Sequence, residues 1–191
     1  DTSLENRNYY FKMSNLEIII GNMFSGKTSE VIRRLKRYKV LDKKVVVINS
    51  TKDTRGDGEV IHTHDGVKFD CIKLDNIADC LLKHEFCCAD VVAIDEAQFF
   101  DNIFKFVNMC LFLQKDIILA GLDGDYRQKK YGEILDCIPL ATSVTKLSAL
   151  CMECRDGTPG PFTRRIITDN TLELVGGNDK YKAVCRRHLY E

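Results

Sequence analysis

Residues Gly21-Asn22-Met23-Phe24-Ser25-Gly26-Lys27-Thr28 form a complete G-x-x-x-x-G-K-[ST] run. Glycines let the backbone curl so that successive N–H groups point at an anion. The lysine adds a compact positive charge for β and γ oxygens, and the threonine hydroxyl suits Mg²⁺. The run sits between apolar Ile18-Ile19-Ile20 and a segment of helical spacing, so a helix N-terminus would face the same phosphate. The bland alternative is a turn before an ordinary helix. With Gly near 7% of residues, such a match arises by chance about once in a hundred or more chains of this length.

A second group of residues suits the same chemistry. Val91-Val92-Ala93-Ile94 is an apolar run that ends in Asp95-Glu96. Asp95 would serve the Mg²⁺ shell and Glu96 would stand beside the γ-phosphate as a general base. Two acids capping a strand are common at surfaces. The glycine loop is what favours the catalytic reading.

A third pattern is of a different kind. Cys151-Met152-Glu153-Cys154 and Cys185-Arg186-Arg187-His188 make C-x₂-C followed by C-x₂-H, with 30 residues between the pairs. Cys151, Cys154, Cys185 and His188 are the expected ligands of a tetrahedral zinc, since short loops bring each pair together. The remaining cysteines (Cys71, Cys80, Cys87, Cys88, Cys110, Cys137) are scattered through apolar segments and read as reduced core thiols, so coincidental pairing is the competing explanation. Zinc is favoured because both pairs lie in a tail with little core of its own.

The elements that must position these groups follow from periodicity. Short β-branched runs at 17–20, 45–49, 91–95 and 116–121 have the length of buried parallel strands. Residues 27–41 place Val31, Ile32, Leu35 and Tyr38 on one helical face. Ile103, Phe104, Phe106, Val107, Cys110, Leu111 and Leu113 crowd a later helix. The expected fold is α/β, a P-loop (RecA-like) parallel sheet with helices on both faces and a small zinc-stapled subdomain. Expected divisions are a leader over 1–15, a P-loop domain over 16–150 and a zinc subdomain over 151–191, with short strands at 165–168 and 172–175. Residues 1–12 are polar and Met13 reads as a natural start.

Composition limits the function. The 191 residues, 45% of them apolar, support one core and no second full domain. Lysines and arginines balance aspartates and glutamates at 28 each, which argues against a nucleic acid binder. No window approaches the roughly 20 apolar residues of a membrane span, and no signal peptide opens the chain, so a soluble cytoplasmic protein is expected. A helicase or motor ATPase would need a second motor domain and basic strand contacts, and a zinc-knuckle module with a regulatory nucleotide loop is the non-enzymatic rival.

The motifs GNMFSGKT, KDTRGD, THD, IDEAQFFD, LAGLDGDYRQKKYG, KLSALCMEC and GGNDKYKAVCRRH occur in this order. Together they resemble the type II thymidine kinases over about residues 16–188. His188 stands where many members have a fourth cysteine, which keeps four ligands. RDGTPGPF, after Cys154, departs from the usual pattern. The resemblance implies an enzyme that phosphorylates the thymidine 5′-hydroxyl with ATP, with Glu96 as base and Lys27, Thr28, Asp95 and Mg²⁺ organising the triphosphate. It assigns Asp53, Thr54, Arg55 and Gln98 to the nucleotide side. Met23, Phe99, Leu122, Tyr126, Thr163 and Tyr181, with the loop Leu172, Glu173, Leu174, Val175 and Gly176, go to the nucleoside. It further implies feedback by thymidine triphosphate and a homotetramer, and makes the zinc a clamp on that loop.

Overall fold

The computed structural model describes residues 13–54, 58–63, 66–169, 171, 174 and 176–190. Residues 1–12 of the expected leader lie outside them. Its strands up to residue 147 are β1 (Leu16–Gly21), β2 (Val45–Ser50), β3 (Val60–His62), β4 (Lys68–Asp70), β5 (Ile72–Leu74), β6 (Val91–Ile94), β7 (Asp116–Leu122) and β8 (Ser143–Leu147). Its α-helices are α1 (Lys27–Val40), α2 (His84–Cys88) and α3 (Ile103–Phe112). Six strands form one sheet in the order β5-β2-β6-β7-β1-β8, every pair parallel. β3 and β4 pair antiparallel as a separate hairpin.

The β-branched runs are continuous rather than alternating because both faces of the sheet are covered. Ile19, Val47, Val91, Ala93, Ile118 and Ala120 pack under α1 through Val31, Ile32 and Leu35. The alternate residues Leu16, Ile18, Val46, Ile48, Val92, Ile94, Ile117 and Leu119 pack on the other side against Ile103, Phe106, Val107 and Cys110 of α3. A sheet clad on both faces places its strand ends, and the loops after them, along one rim. The strands and helices expected up to residue 121 are present with boundaries moved by a residue or so. Phe104 and Leu113, counted in the apolar crowd of the later helix, are instead exposed, because α3 buries only one stripe.

Three parts of the sheet region were not legible in the sequence: the β3–β4 hairpin, β5 and β8. β8 is an outer strand whose Ser143, Thr145 and Lys146 break the apolar pattern. The tail adds β9 (Ala149–Leu150) with β10 (Pro159–Gly160), and β11 (Phe162–Arg165) with β12 (Tyr181–Val184), both antiparallel. The strand expected at 165–168 therefore lies three residues earlier, since pairing with β12 sets its register. Leu172, Glu173 and Val175 of the other expected strand lie outside the described residues. Among the described residues no helix is long and apolar enough to cross a membrane.

α1 is tied to the sheet by charge as well as by apolar contact. Buried Arg34 donates to Glu30 at 2.8 Å, to Glu17 on β1 at 2.6 Å and to Thr145 on β8 at 2.9 Å. The Arg33 hydrogen bond, opposed by partial burial and joined by Arg34, lowers the Glu30 carboxyl from its ordinary 4.5 to about 2. A carboxyl depressed on folding contributes stability that is full above about 4.5 and is lost as pH falls toward 2. Glu30→Gln should cost about 1 kcal/mol at neutral pH, a modest figure because Arg33 is open to solvent. Urea denaturation of both proteins should show that gap narrowing below pH 4; a gap independent of pH would contradict it.

Candidate active site

The loop from β1 to α1 must bend under the end of β8. A Cβ at Gly21 would collide with the Leu147 carbonyl oxygen and lie 2.8 Å from Ser25 Oγ, so only glycine fits there. Beyond it, Lys27 Nζ and Ser25 Oγ both donate to the Asn22 carbonyl at 2.8 Å, which holds the loop around its own backbone. Asn22 in turn joins the loop to the tail. Its amide donates to Gly160 O on β10 at 2.8 Å and accepts from Ala149 N on β9 at 3.3 Å. The next N–H, from Met23, donates to Thr163 Oγ1 on β11 at 3.1 Å.

The acids at the end of β6 face this loop. Thr28 Oγ1 donates to Asp95 Oδ2 at 2.8 Å, so hydroxyl and carboxylate already stand together as a hard-cation pair. Glu96 is buried and left-handed at φ 52, ψ 42, a conformation costing about 1–3 kcal/mol in a residue with a side chain. Its carboxylate is aimed by Gln98, whose Nε2 donates to Glu96 Oε2 at 2.5 Å while its Oε1 accepts from Leu122 N at 2.9 Å. The amide occupies space that only a glycine on β7 leaves: a Cβ at Gly121 would sit 2.6 Å from Gln98 Oε1. Asp53 is buried nearby, accepting from Asn49 Nδ2 at 3.0 Å.

One pocket runs past all of these groups to a wall of aromatic side chains. Of the residues assigned from sequence, Met23 to Thr28, Asp53, Asp95, Glu96, Gln98, Phe99, Leu122, Tyr126, Thr163, Leu174, Gly176 and Tyr181 all line it. Gly21 and Asn22 shape the loop from beneath. Thr54 is exposed and absent from the lining, whereas Arg55, Leu172, Glu173 and Val175 lie outside the described residues. Sequence reasoning missed Ile61, His62 and Thr63 of the β3–β4 region, Tyr131, whose ring meets Phe99 edge-on at 6.1 Å, and Arg165. Arg165 could have been found by alternation from Thr163, had β11 been placed in its true register.

The second site is a cluster. Cys151, Cys154, Cys185 and His188 bring one ligand atom each within 4.8 Å of one another. Cys154 and Cys185 sulfurs are 3.8 Å apart, and His188 Nδ1 lies 3.6, 3.4 and 3.3 Å from Cys151, Cys154 and Cys185. Tetrahedral bonds of about 2.3 Å to sulfur and 2.0 Å to nitrogen imply edges of about 3.8 and 3.5 Å, so the four atoms fit zinc. Burial opposes charge on Cys151, but the backbone N–H groups of Cys154, Cys185 and Glu153 outweigh it and bring the thiol down to about 6. The neighbouring ligand Cys154 is instead raised to about 11, by burial first and then by the Cys151 and Cys185 sulfurs beside it. The core thiols Cys80, Cys110 and Cys137 shift the opposite way from Cys151, burial first and neighbouring acids or thiols next pushing them up to about 12.

The family model described as thymidine kinase matches residues 14–189. The cytosolic thymidine kinase of Cricetulus griseus is 40% identical over 175 residues, which span 90% of this chain and 71% of that protein. A thymidine kinase of sheeppox virus is 40% identical over 90% of this chain and 94% of its own. Thymidine kinase a of Arabidopsis thaliana is 41% identical over 91% and 74% respectively.

The Gln98 bridge generates a direct test. Gln98→Leu roughly keeps the volume but leaves the partly buried Leu122 N–H and the buried Glu96 carboxylate without that partner, a loss of about 1–3 kcal/mol. Chemical denaturation should show it, and an unchanged midpoint would mean that the amide does not make these bonds in solution.

Proposed function

Because the chain belongs to the thymidine kinase family, we propose that it transfers the γ-phosphoryl group of ATP to the 5′-hydroxyl of thymidine, yielding thymidine monophosphate and ADP. The observation that carries this reading is the shared pocket, lined by the phosphate loop and Glu96 together with the rings of Phe99, Tyr126, Tyr131 and Tyr181. A nucleoside lying on the aromatic wall would point its 5′-hydroxyl toward Glu96. The triphosphate would enter from the loop.

Glu96 is the proposed general base. Held by Gln98, it accepts the hydroxyl proton as the 5′-oxygen bonds to the γ-phosphorus and the bond to the ADP oxygen breaks. Lys27 exchanges its bond to the Asn22 carbonyl for the β and γ oxygens, where a compact ammonium offsets charge. Mg²⁺ bound with the triphosphate would supply further neutralisation there, and Thr28 and Asp95 are the residues that would hold it. Asp53 supports the same end of the pocket, with Arg55 assigned beside it by resemblance. Thr54, being exposed, contributes through its backbone on this reading.

Thymidine specificity is assigned to the backbone of the segment from 172 to 176. A backbone N–H and C=O suit a thymine edge, and Tyr181 already fixes one carbonyl of the segment, donating to Leu174 O at 2.7 Å. The Cys3His cluster is assigned a structural zinc, since four protein ligands leave no open position for chemistry. We extend the proposal to a subdomain boundary near residue 151, where the chain turns to short strands and cysteine-bearing corners, and, on the strength of the family, to cytoplasmic deoxynucleotide salvage, feedback by thymidine triphosphate and a homotetramer.

A coupled ADP-release assay across the common nucleosides tests the reading. Thymidine should stimulate turnover far beyond the other nucleosides and beyond single-stranded DNA; stimulation by DNA alone would favour a motor ATPase. In the same assay, Glu96→Gln should lower kcat by about 10²-fold or more while ATP binding is kept. Turnover like that of the wild type would remove Glu96 from the mechanism.

A further inference from the structure

β11 sends three consecutive side chains to three places. Thr163 receives the Met23 N–H of the phosphate loop. Arg164 turns to the opposite face and donates to the His188 carbonyl at 2.5 Å and to Glu153 at 2.7 Å, both inside the cysteine knuckles. Arg165 returns to the pocket side, as strand alternation requires.

The contacts of Arg165 converge on one stretch of chain. It donates to the backbone carbonyls of Asp169 at 2.7 Å and Thr171 at 2.6 Å, and to the Tyr181 hydroxyl at 2.7 Å. That hydroxyl passes the connection on to Leu174 O. The guanidinium also lies over Tyr126, 3.8 Å from the ring centroid, within the range of a cation–π contact. Tyr181 stands opposite Arg165 in the β11–β12 ladder, so backbone pairing fixes the distance between the two.

We propose that Arg165 is the positioning residue of the nucleoside half of the pocket. Its fork binds the carbonyls of Asp169 and Thr171 directly and reaches that of Leu174 through the Tyr181 hydroxyl, while its plane lies over the Tyr126 ring, and so it sets the affinity for the base without touching the reacting atoms. The inference rests on the reading of this pocket as a thymidine site and deepens it. Three properties are needed at once: several diverging donors, a planar face for the ring and a permanent charge. Lysine has no planar fork, so the exchange is not conservative here. Because Arg164 grips the knuckles from the other face of the same strand, β11 also connects the Cys3His cluster to the nucleoside wall.

The test is steady-state kinetics of Arg165→Met and Arg165→Lys in thymidine and in ATP separately, with thermal denaturation and metal content alongside. KM for thymidine should rise by about tenfold or more in both variants, as expected when binding groups are misplaced. KM for ATP and metal content should hold, and kcat should fall much less. Tyr126→Leu should raise the thymidine KM too, and the double variant with Arg165→Met should fall short of the product of the single effects, because the two side chains act together. A native thymidine KM in both variants, full rescue by lysine, or equal rises in both KM values would overturn the inference. If Arg165→Met does not fold, Arg165→Lys decides by the same readings. Absence of thymidine turnover in the wild type would overturn the functional reading itself, and the inference with it.

Discussion

Asn22 is the hinge pin of this molecule. A single buried side chain joins the phosphate loop to the tail, donating to Gly160 and accepting from Ala149 while its own carbonyl receives Lys27 and Ser25. Buried amides that satisfy several backbone groups at once are costly to break, because each partner is left unpaired in a low dielectric. The consequence is geometric. The loop that would hold phosphates and the strands that wall the aromatic end cannot drift apart, and the Met23–Thr163 bond repeats the constraint one residue on.

The two ends of the pocket are stabilised in different ways. The phosphate end hangs on a sheet buried on both faces by α1 and α3, which makes it rigid for reasons of apolar packing. Among its described residues the tail has only short strands and a small cluster around Cys151, Val184 and Leu189. Such a segment holds its shape through point attachments: the Cys3His knuckles, the Arg164–Glu153–Lys182 charges and the Arg165 fork. Strain is placed at the residue proposed as the base, where Glu96 adopts a left-handed backbone under the grip of Gln98.

What could be read in the sequence was what is local. The glycine loop, the acids after β6 and the two knuckles each occupy a few consecutive residues, so spacing alone revealed them. The sheet was legible because burial on both faces writes uninterrupted β-branched runs. Gln98 could be placed near the nucleotide but not seen to orient Glu96, since that depends on Gly121 making room on another strand. Arg165 and the β3–β4 lining were hidden because their positions follow from strand register, which polar tail strands specify only through pairing.

The central question is whether the tail, held by its Cys3His cluster, forms the nucleoside end of a pocket whose other end stands on the sheet. Calorimetric titration of thymidine and of ATP into the protein as purified and after chelation, with zinc content measured on each sample, tests this most directly. The expected result is about one zinc per chain as purified, four protein ligands defining one site. On metal removal thymidine affinity should fall at least about tenfold, or 1.4 kcal/mol, and ATP affinity far less. Metal-free protein that binds thymidine with undiminished affinity would contradict the account.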